Sequence, residues 1–448
     1  MKHFSEIKHL FDQFLQGKTE QLPHASEIAY LLKHVYRDTP EEFLELLNKI
    51  PQDVRGDLLL NLPEKLKDEA IEYYSTDELT EAVESLQSDD ATELIDDIED
   101  VDEGVAEAVY EQLDIEDRED IDKIRSYDED QAGSWMQTEL FDATLDETLQ
   151  EAIDRLKLLK DVGELENIYQ LYIVNDERRL VATIALEDLI LMDFNQTFRQ
   201  QLGNKEFRAV KTTDDIDDVA SIFEQYDASV LPVLDHESRL VGRITSDDIY
   251  DVIEERATEQ IYNLAGVNDD VEQDEDIRAI FKTRSSWLAL NLLTAILASM
   301  VIAVFDETLA AFIPLAILMP IVASMGGNAG TQTLTVMVRK MALGDIDFAN
   351  AKSALYKEMS VALLNGMLFA VIMGIIAWIW FSEPLLGVVI ALAMVINLLV
   401  AGLFGAAIPL LLKRLNTDPA VGSTVLLTTV TDVFGFFSFL LLAKVILL

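Results

Sequence analysis

One carboxylate stands inside an otherwise uncharged apolar run near the carboxyl end of this 448-residue chain: Asp432, in TTVTDVFGFF. Thr424 and Thr428 precede it by two turns and one turn of a helix, so the three side chains form a polar stripe on an apolar surface. A charged side chain at a bilayer centre costs about 2.5–3.5 kcal/mol on insertion scales, so it is expected to serve a purpose beyond packing. A carboxylate held by hydrogen bonds between helices is the plainer reading, but no basic residue lies inside an apolar run to neutralise it, which favours an ion path. A second apolar run, PIVASMGGNAGTQ, offers glycines that admit close helix approach or an exposed carbonyl, with neutral oxygens on Asn328, Thr331 and Gln332. Asn397, Ala401 and Gly405 at four-residue spacing, then Pro409, repeat that pattern more weakly. One carboxylate among several neutral oxygens suits a hard cation that keeps much of its water.

Such groups need helices that cross a bilayer, each about 20 apolar residues long. Five stretches qualify: 286–305, 309–338, 360–381, 387–412 and 420–443. The second exceeds the bilayer thickness and contains Pro314, Pro320, Gly326, Gly327 and Gly330, which predicts a kinked or locally unwound helix. Basic residues cluster before the first stretch (Arg278, Lys282, Arg284), between the second and third (Arg339, Lys340, Lys352, Lys357) and between the fourth and fifth (Lys413, Arg414). The other two connections hold only Asp306, Glu307 and Glu383. Basic connections mark the cytoplasmic side, so the amino-terminal half is expected inside and the carboxyl terminus outside the cell membrane.

Charge divides the chain at the same place. Seven basic and eight acidic residues lie from Ser286 onward, leaving 27 and 73 before it, net charges of −1 and −46. An acidic half of this strength repels nucleic acid and anionic lipid and attracts cations. The chain has no cysteine, which removes disulfides and thiolate metal sites. MKHFSEIKHL lacks an apolar core, so no cleaved signal peptide is expected. Gly17, Lys18 and Thr19 imitate the end of a phosphate-binding loop, but Asp12 stands where its first glycine belongs, and no ATPase or other enzyme motif is found.

Within the acidic half, residues 39–124 read as short helices, with an apolar residue followed by a breaker or polar residue every twelve positions: Ile50-Pro51, Leu62-Pro63, Tyr74-Ser75, Leu86-Gln87 and Ile98-Glu99. This spacing predicts a superhelical stack. From about 131 to 255 the pattern turns to strands and helices, and NIYQLYIVNDERRLVATIALEDLIL parallels ASVLPVLDHESRLVGRITSDDIYDVI. The pair resembles tandem cystathionine-β-synthase (CBS) domains. In that family a Thr or Ser followed three residues later by Asp contacts adenine nucleotides; Thr245 and Asp248 match, whereas the first copy has Ala185 before Asp188. The resemblance thus leaves ATP at the second copy and a purely structural dimer module as alternatives. DVIEERATEQIYNLAGV then reads as a helix leading to the membrane, with Glu255 and Glu259 one turn apart, followed by an acidic linker over 269–276.

Pro320 with GGNAGTQ, LTVMVRKMALGDI, Asp418-Pro419, TTVTD ending at Asp432, and EERATEQIYNLAGV occur in the order that resembles the MgtE family of magnesium channels, along essentially the whole chain. The resemblance implies a multidomain membrane protein. Its parts would be an all-α superhelical N domain (1–130), α/β tandem CBS domains (131–199 and 200–253), a plug helix (254–285) and a five-helix transmembrane domain (286–448). It also implies a homodimer in which Asp432 lines the ion path, with Asn328, Thr428 and neighbouring oxygens nearby. Carboxylates of a Mg2+ sensor are implied at Asp89, Asp90, Glu93, Asp227, Asp247, Asp248 and Asp251, and around the plug at Glu255, Glu259 and Asp418. Glu93 stands where the family more often has Asp, and Arg243 adds a charge to the second CBS strand. The expected function is Mg2+ influx, closed by negative feedback when Mg2+ draws the cytoplasmic carboxylates together. A carrier of Co2+ or Mn2+, a CBS-linked anion channel and a non-conducting membrane sensor are the alternatives; the negative charge of Asp432 disfavours the anion pore.

Overall fold

The first helices are short because the chain supplies a stop about every dozen residues. A computed structural model describes residues 4–162, 165, 168–203, 207–267, 277–346, 350–415 and 417–448; the acidic linker 269–276 lies outside the described residues. The helices are α1 (Phe4–Leu15), α2 (Ala25–Asp38), α3 (Pro40–Leu47), α4 (Arg55–Leu60), α5 (Glu64–Tyr73), α6 (Thr76–Glu84), α7 (Ser88–Val101), α8 (Glu103–Gln112) and α9 (Ile115–Arg125). Pro40 opens α3, Pro63 precedes α5, and Ser75 and Glu78 form a reciprocal capping box at α6. Apolar faces meet in a core of Ile28, Leu32, Phe43, Leu58, Leu94 and Ile98, so the helices stack. Four of the five twelve-residue steps fall at helix junctions. The fifth does not: Ile98-Glu99 lies inside α7, because Ile98 is a core position of a continuing helix and nothing after it breaks the backbone.

Two three-stranded sheets follow. The first holds β1 (Asp142–Thr144), β2 (Gln170–Val174) and β3 (Leu180–Ala185), with α10 (Leu149–Val162) between β1 and β2 and then α11 (Leu186–Leu189) and α12 (Phe198–Gln201). The second holds β4 (Val210–Lys211), β5 (Val230–Leu234) and β6 (Leu240–Thr245), with α13 (Ile216–Tyr226) inserted likewise, and β6 runs into α14 (Ser246–Ala265). In each sheet the first pairing is parallel and the second antiparallel, with an irregularity at corresponding positions, Ile173/Val174 and Val233/Leu234. The duplication read from the two sequence segments is therefore a duplication of structure. Residues 131–137 pair with the second copy rather than the first, through bridges Gln131↔Asp215 and Gln137↔Arg243, and bury Ala132 and Met136 in its core.

The apolar half forms α15 (Ile277–Ala303), α16 (Asp306–Ala311), α17 (Ile313–Ala342), α18 (Ala351–Phe381), α19 (Pro384–Arg414) and α20 (Ser423–Leu447). Five of these are long and apolar enough to cross a membrane. The unwinding expected in the second span is absent: α17 runs 30 residues without a break through Pro320 and its glycines. Its glycines serve close approach instead, since a methyl group on Gly326 would overlap Asn397 of α19 and one on Gly330 would press on Leu427 of α20. Helix α19 is buried along most of its length and packs against α17, α18 and α20. Contacts divide the chain into two units, Met1–Glu255 and Arg256–Leu448.

Candidate ion-handling sites

In the first unit, the start of α7 gathers acid. Asp89 and Asp90 occupy its first turn, where the exposed N–H groups favour negative charge. The N-cap, Gln87, makes no side-chain cap; its place is taken by Glu139, whose carboxylate accepts from the Ser88 N–H (2.9 Å) and the Ser88 hydroxyl (3.1 Å). Asp248, in the first turn of α14, acts on both aspartates electrostatically, and Asp247 acts on Asp90. Burial, then repulsion by Asp248, pushes the Asp90 carboxyl up to about 7 and raises Asp89 well above the usual range. Burial first, with Asp247 and Asp251 adding repulsion against the hydrogen bonds from Thr245, pushes Asp248 up to about 6. Burial likewise raises Glu93, with repulsion from Asp97 and Asp251 opposing the nearby Lys67, and burial followed by repulsion from Glu254 and Asp247 raises Asp251.

These groups carry like charge and raise one another's pKa values, with Lys67 opposing the repulsion only at Glu93. One oxygen, Asp89 Oδ1, is buried without a hydrogen-bond partner among the described residues. Among the described residues, no group of three or more His, Asp or Glu side chains is arranged to hold a metal ion. The donor set nevertheless fits Mg2+, which binds through one or two carboxylates and keeps several waters rather than requiring an all-protein cage. Of the residues expected in the sensor, Asp89, Asp90, Glu93, Asp247, Asp248 and Asp251 share this neighbourhood. Asp227 stands apart, exposed, ending α13 in a left-handed conformation.

Thr245 and Asp248 are engaged with each other. The Thr245 hydroxyl donates to Asp248 Oδ2 at 2.7 Å and its N–H donates to the same oxygen at 3.2 Å. Arg243 is buried beside them and donates from Nε to Gln137 Oε1 at 3.1 Å, so its charge helps tie residues 131–137 to β6. Glu139 and Gln137 were not read as functional residues, since contacts across 51 and 106 positions leave no periodic trace in a sequence.

In the second unit, the end of α14 meets the turn before α20. Asn263 donates to both Glu259 (3.1 Å) and Asp418 (3.0 Å), so two of the expected plug carboxylates face one amide. The Thr424 hydroxyl donates to the Leu264 carbonyl at 2.7 Å, and Leu264 packs on Leu334 and Leu427. Glu255 is exposed on α14. Asn263 is absent from the sequence reading because an amide on an acidic helix resembles a solvated residue.

Asp432 is half-buried near the middle of α20, and no other described residue hydrogen-bonds or pairs with it. Thr428 donates back to the carbonyls of Thr424 and Val425, which leaves its oxygen lone pairs available. Asn328 lies on the exposed side of α17, bonded only to Ser324 at 3.3 Å. One carboxylate escaped the sequence reading, which began the third span at Ser360. Helix α18 starts at Ala351, and Glu358, two turns inside it, is half-buried and accepts from Thr333 of α17 at 3.3 Å. Asp432 is therefore not the only acidic group directed between these helices.

Three family models match the chain: a divalent cation transporter over residues 319–442, an MgtE intracellular N domain over 23–130 and a CBS domain over 200–255. A protein named magnesium transporter MgtE from Thermus thermophilus is 34% identical over 337 residues, 75% of this chain and 74% of that one. Another of that name from Enterococcus faecalis is 32% identical over 71% of this chain and 69% of its own length. A solved structure described as the cytosolic domain of the Mg2+ channel MgtE in complex with ATP is 26% identical, with a TM-score of 0.47, and covers 55% of this chain and 99% of that one.

Proposed function

The chain belongs to the MgtE family of magnesium transporters, and from that premise we propose that it passes Mg2+ through its five-helix domain and closes that path when Mg2+ occupies the carboxylates of its acidic half. The observation that carries this reading is Asp432, a half-buried carboxylate in the middle of a membrane helix with no cationic or hydrogen-bonding partner among the described residues. An acidic group in that position calls for an ion or water beside it. Thr428 and Asn328 supply the neutral oxygens. Asn328 faces outward from a single five-helix domain, where lipid could not satisfy it, which supports a homodimer whose second copy completes the passage. Relatives that transport rather than catalyse support the absence of an enzymatic role.

The gate follows from charge. Two carboxylates about 5 Å apart repel by roughly 3 kcal/mol at an effective dielectric of 20, so bringing Asp89, Asp90 and Asp248 together demands a divalent ion. Loss of that ion drives the acidic elements apart and frees the plug formed by Glu259, Asn263 and Leu264. Sites divided between elements bind weakly, which suits an abundant ion. Mg2+ supplies the bridging charge, while Thr245 orients Asp248 and Glu139 fixes the start of α7. ATP at Thr245 and Asp248 would have to displace the hydrogen bonds between them, and we give it no step in the gate. With the basic connections and the amino-terminal half inside, influx needs no fuel, since a divalent ion crossing 100 mV releases about 2 × 2.3 kcal/mol.

Flux of Mg2+ into liposomes holding the purified protein tests the path. Asp432→Ala should abolish uptake; undiminished uptake would defeat the assignment, as a non-conducting sensor has no need of Asp432. Competition by Co2+ and Mn2+ in the same liposomes separates a magnesium channel from a general divalent carrier.

A further inference from the structure

Packed against the two helices that carry Asn328 and Asp432 is a polar side chain to which no role has been given. Asn397 of α19 is fully buried within the five-helix domain. Its Nδ2 donates to the Val322 carbonyl of α17 at 2.7 Å, while its Oδ1 is buried with no hydrogen-bond partner among the described residues. A buried amide left half satisfied among apolar helices is costly, and intramembrane polar groups of this kind are retained for function more often than for stability.

Its neighbours indicate the function. A methyl group on Gly326 of α17 would overlap the Asn397 amide outright, and one on Gly435 of α20 would meet it at 3.0 Å. Both glycines therefore let their helices close on the same side chain. Gly326 precedes Asn328 by two residues, so the Asn397 contact and the Asn328 side chain leave α17 on opposite sides. Gly435 follows Asp432 by three residues, so the Asn397 contact and the Asp432 side chain lie on nearly the same face of α20. Asn397 is thus a wedge behind Asn328 on α17 and beside Asp432 on α20, and its size sets how far apart those two residues stand.

We propose that Asn397 is a positioning residue that determines which divalent cation the path accepts. The proposal rests on the reading of Asp432 and Asn328 as lining that path. Mg2+ demands near-octahedral oxygen geometry at about 2.0–2.1 Å, whereas Ca2+ accepts looser shells at about 2.3–2.6 Å, so small changes in helix spacing alter the preference between them. The Val322 carbonyl is the anchor: bonded to Nδ2, it fixes the depth of α17 against α19 one turn before Gly326.

The test measures uptake of Mg2+, Mn2+ and Ca2+ into liposomes by the wild-type chain, Asn397→Leu, Gly435→Ala and Asp432→Ala, alongside thermal unfolding of each in detergent. Leucine keeps the branched outline of asparagine, with somewhat more bulk, and removes its hydrogen bond; alanine at 435 keeps Asn397 and displaces it by tenths of an ångström. Both should lower the ratio of Mg2+ to Ca2+ uptake by roughly fivefold, the scale of one interhelical hydrogen bond, with little change in unfolding midpoint. An unchanged ratio in either folded variant overturns the positioning role, as does a failure of both to fold, which would make Asn397 structural alone. If Asp432→Ala still conducts, the path itself is misassigned; if flux needs Asp432 while the ratio stays fixed, only the role of Asn397 falls.

Discussion

Asp248→Asn separates electrostatic gating from ordinary packing in the acidic half. Burial pushes Asp248 up from 3.8 to about 6, so at about 1.36 kcal/mol per pH unit its charged form costs on the order of 3 kcal/mol in the Mg2+-free protein at neutral pH. Asparagine keeps the shape of the side chain and an acceptor for the Thr245 hydroxyl, while removing the charge that acts on Asp89 and Asp90. The folded-state values of Asp90 and Asp248 lie above the unfolded one, so their contribution to stability is full below about pH 4 and is lost as pH rises through about 6 and about 7. The Mg2+-free protein should therefore weaken across that window, and Mg2+ should restore what the rise in pH removes. Thermal unfolding of the full chain in detergent, with Mg2+ or with a chelator, reads this directly. At about 2–4 °C per kcal/mol, Mg2+ should raise the wild-type midpoint by roughly 6–12 °C near pH 8 and by less than half of that near pH 5. In Asp248→Asn the midpoint in chelator should itself rise, and Mg2+ should add little. An equal gain from Mg2+ at both pH values, or a gain fully retained in the variant, would refute electrostatic bridging by these carboxylates.

Thr424→Val removes the hydrogen bond to the Leu264 carbonyl at constant shape; a loss of about 1 kcal/mol should raise the Mg2+ concentration that half-closes the path about fivefold, measured as flux against internal Mg2+. Glu139→Ala strips both acceptors from Ser88 and should lower the unfolding midpoint of the acidic half by several degrees, a cost of about 1.5–3 kcal/mol for a charged hydrogen bond. Gly422 adopts φ +66, and a methyl group there would stand 3.2 Å from the Trp287 ring. Gly422→Ala should therefore destabilise the membrane unit by about 1–2 kcal/mol, with Asn, which tolerates this conformation, costing less in the same melting assay.

What was legible in the sequence follows the range of each interaction. The five spans were visible because a bilayer imposes a length of uncharged residues, and the paired sheets because each copy repeats strand, acidic turn, strand and helix within one continuous segment. Asp432 was visible because its surroundings carry no other charge. Hydropathy marks where charge begins, however, and not where a helix begins, so α18 extends nine residues before the expected start and carries Glu358 into contact with Thr333. Of the kink or local unwinding that proline and glycine suggest in α17, the unwinding does not occur, and at Gly326 and Gly330 the missing side chains admit Asn397 and Leu427 instead. Asn263 and Glu139 act across 155 and 51 residues and have no local signal.

The same distinction bears on the proposed sensing of an ion. No single segment of the acidic half holds enough carboxylates in the right arrangement to bind Mg2+ firmly; α7 brings Asp89 and Asp90, and α14 brings Asp248 with Asp247 and Asp251. Each segment alone is a solvated acidic helix, indistinguishable in sequence from any surface that promotes solubility. The repulsion exists only once the two helix starts converge, so in the proposed gate affinity for Mg2+ and closure of the acidic half are one equilibrium. A substitution that eases the repulsion must then weaken ion binding and steady the ion-free fold together, whereas a substitution in a preformed site would weaken binding and leave the ion-free fold unchanged.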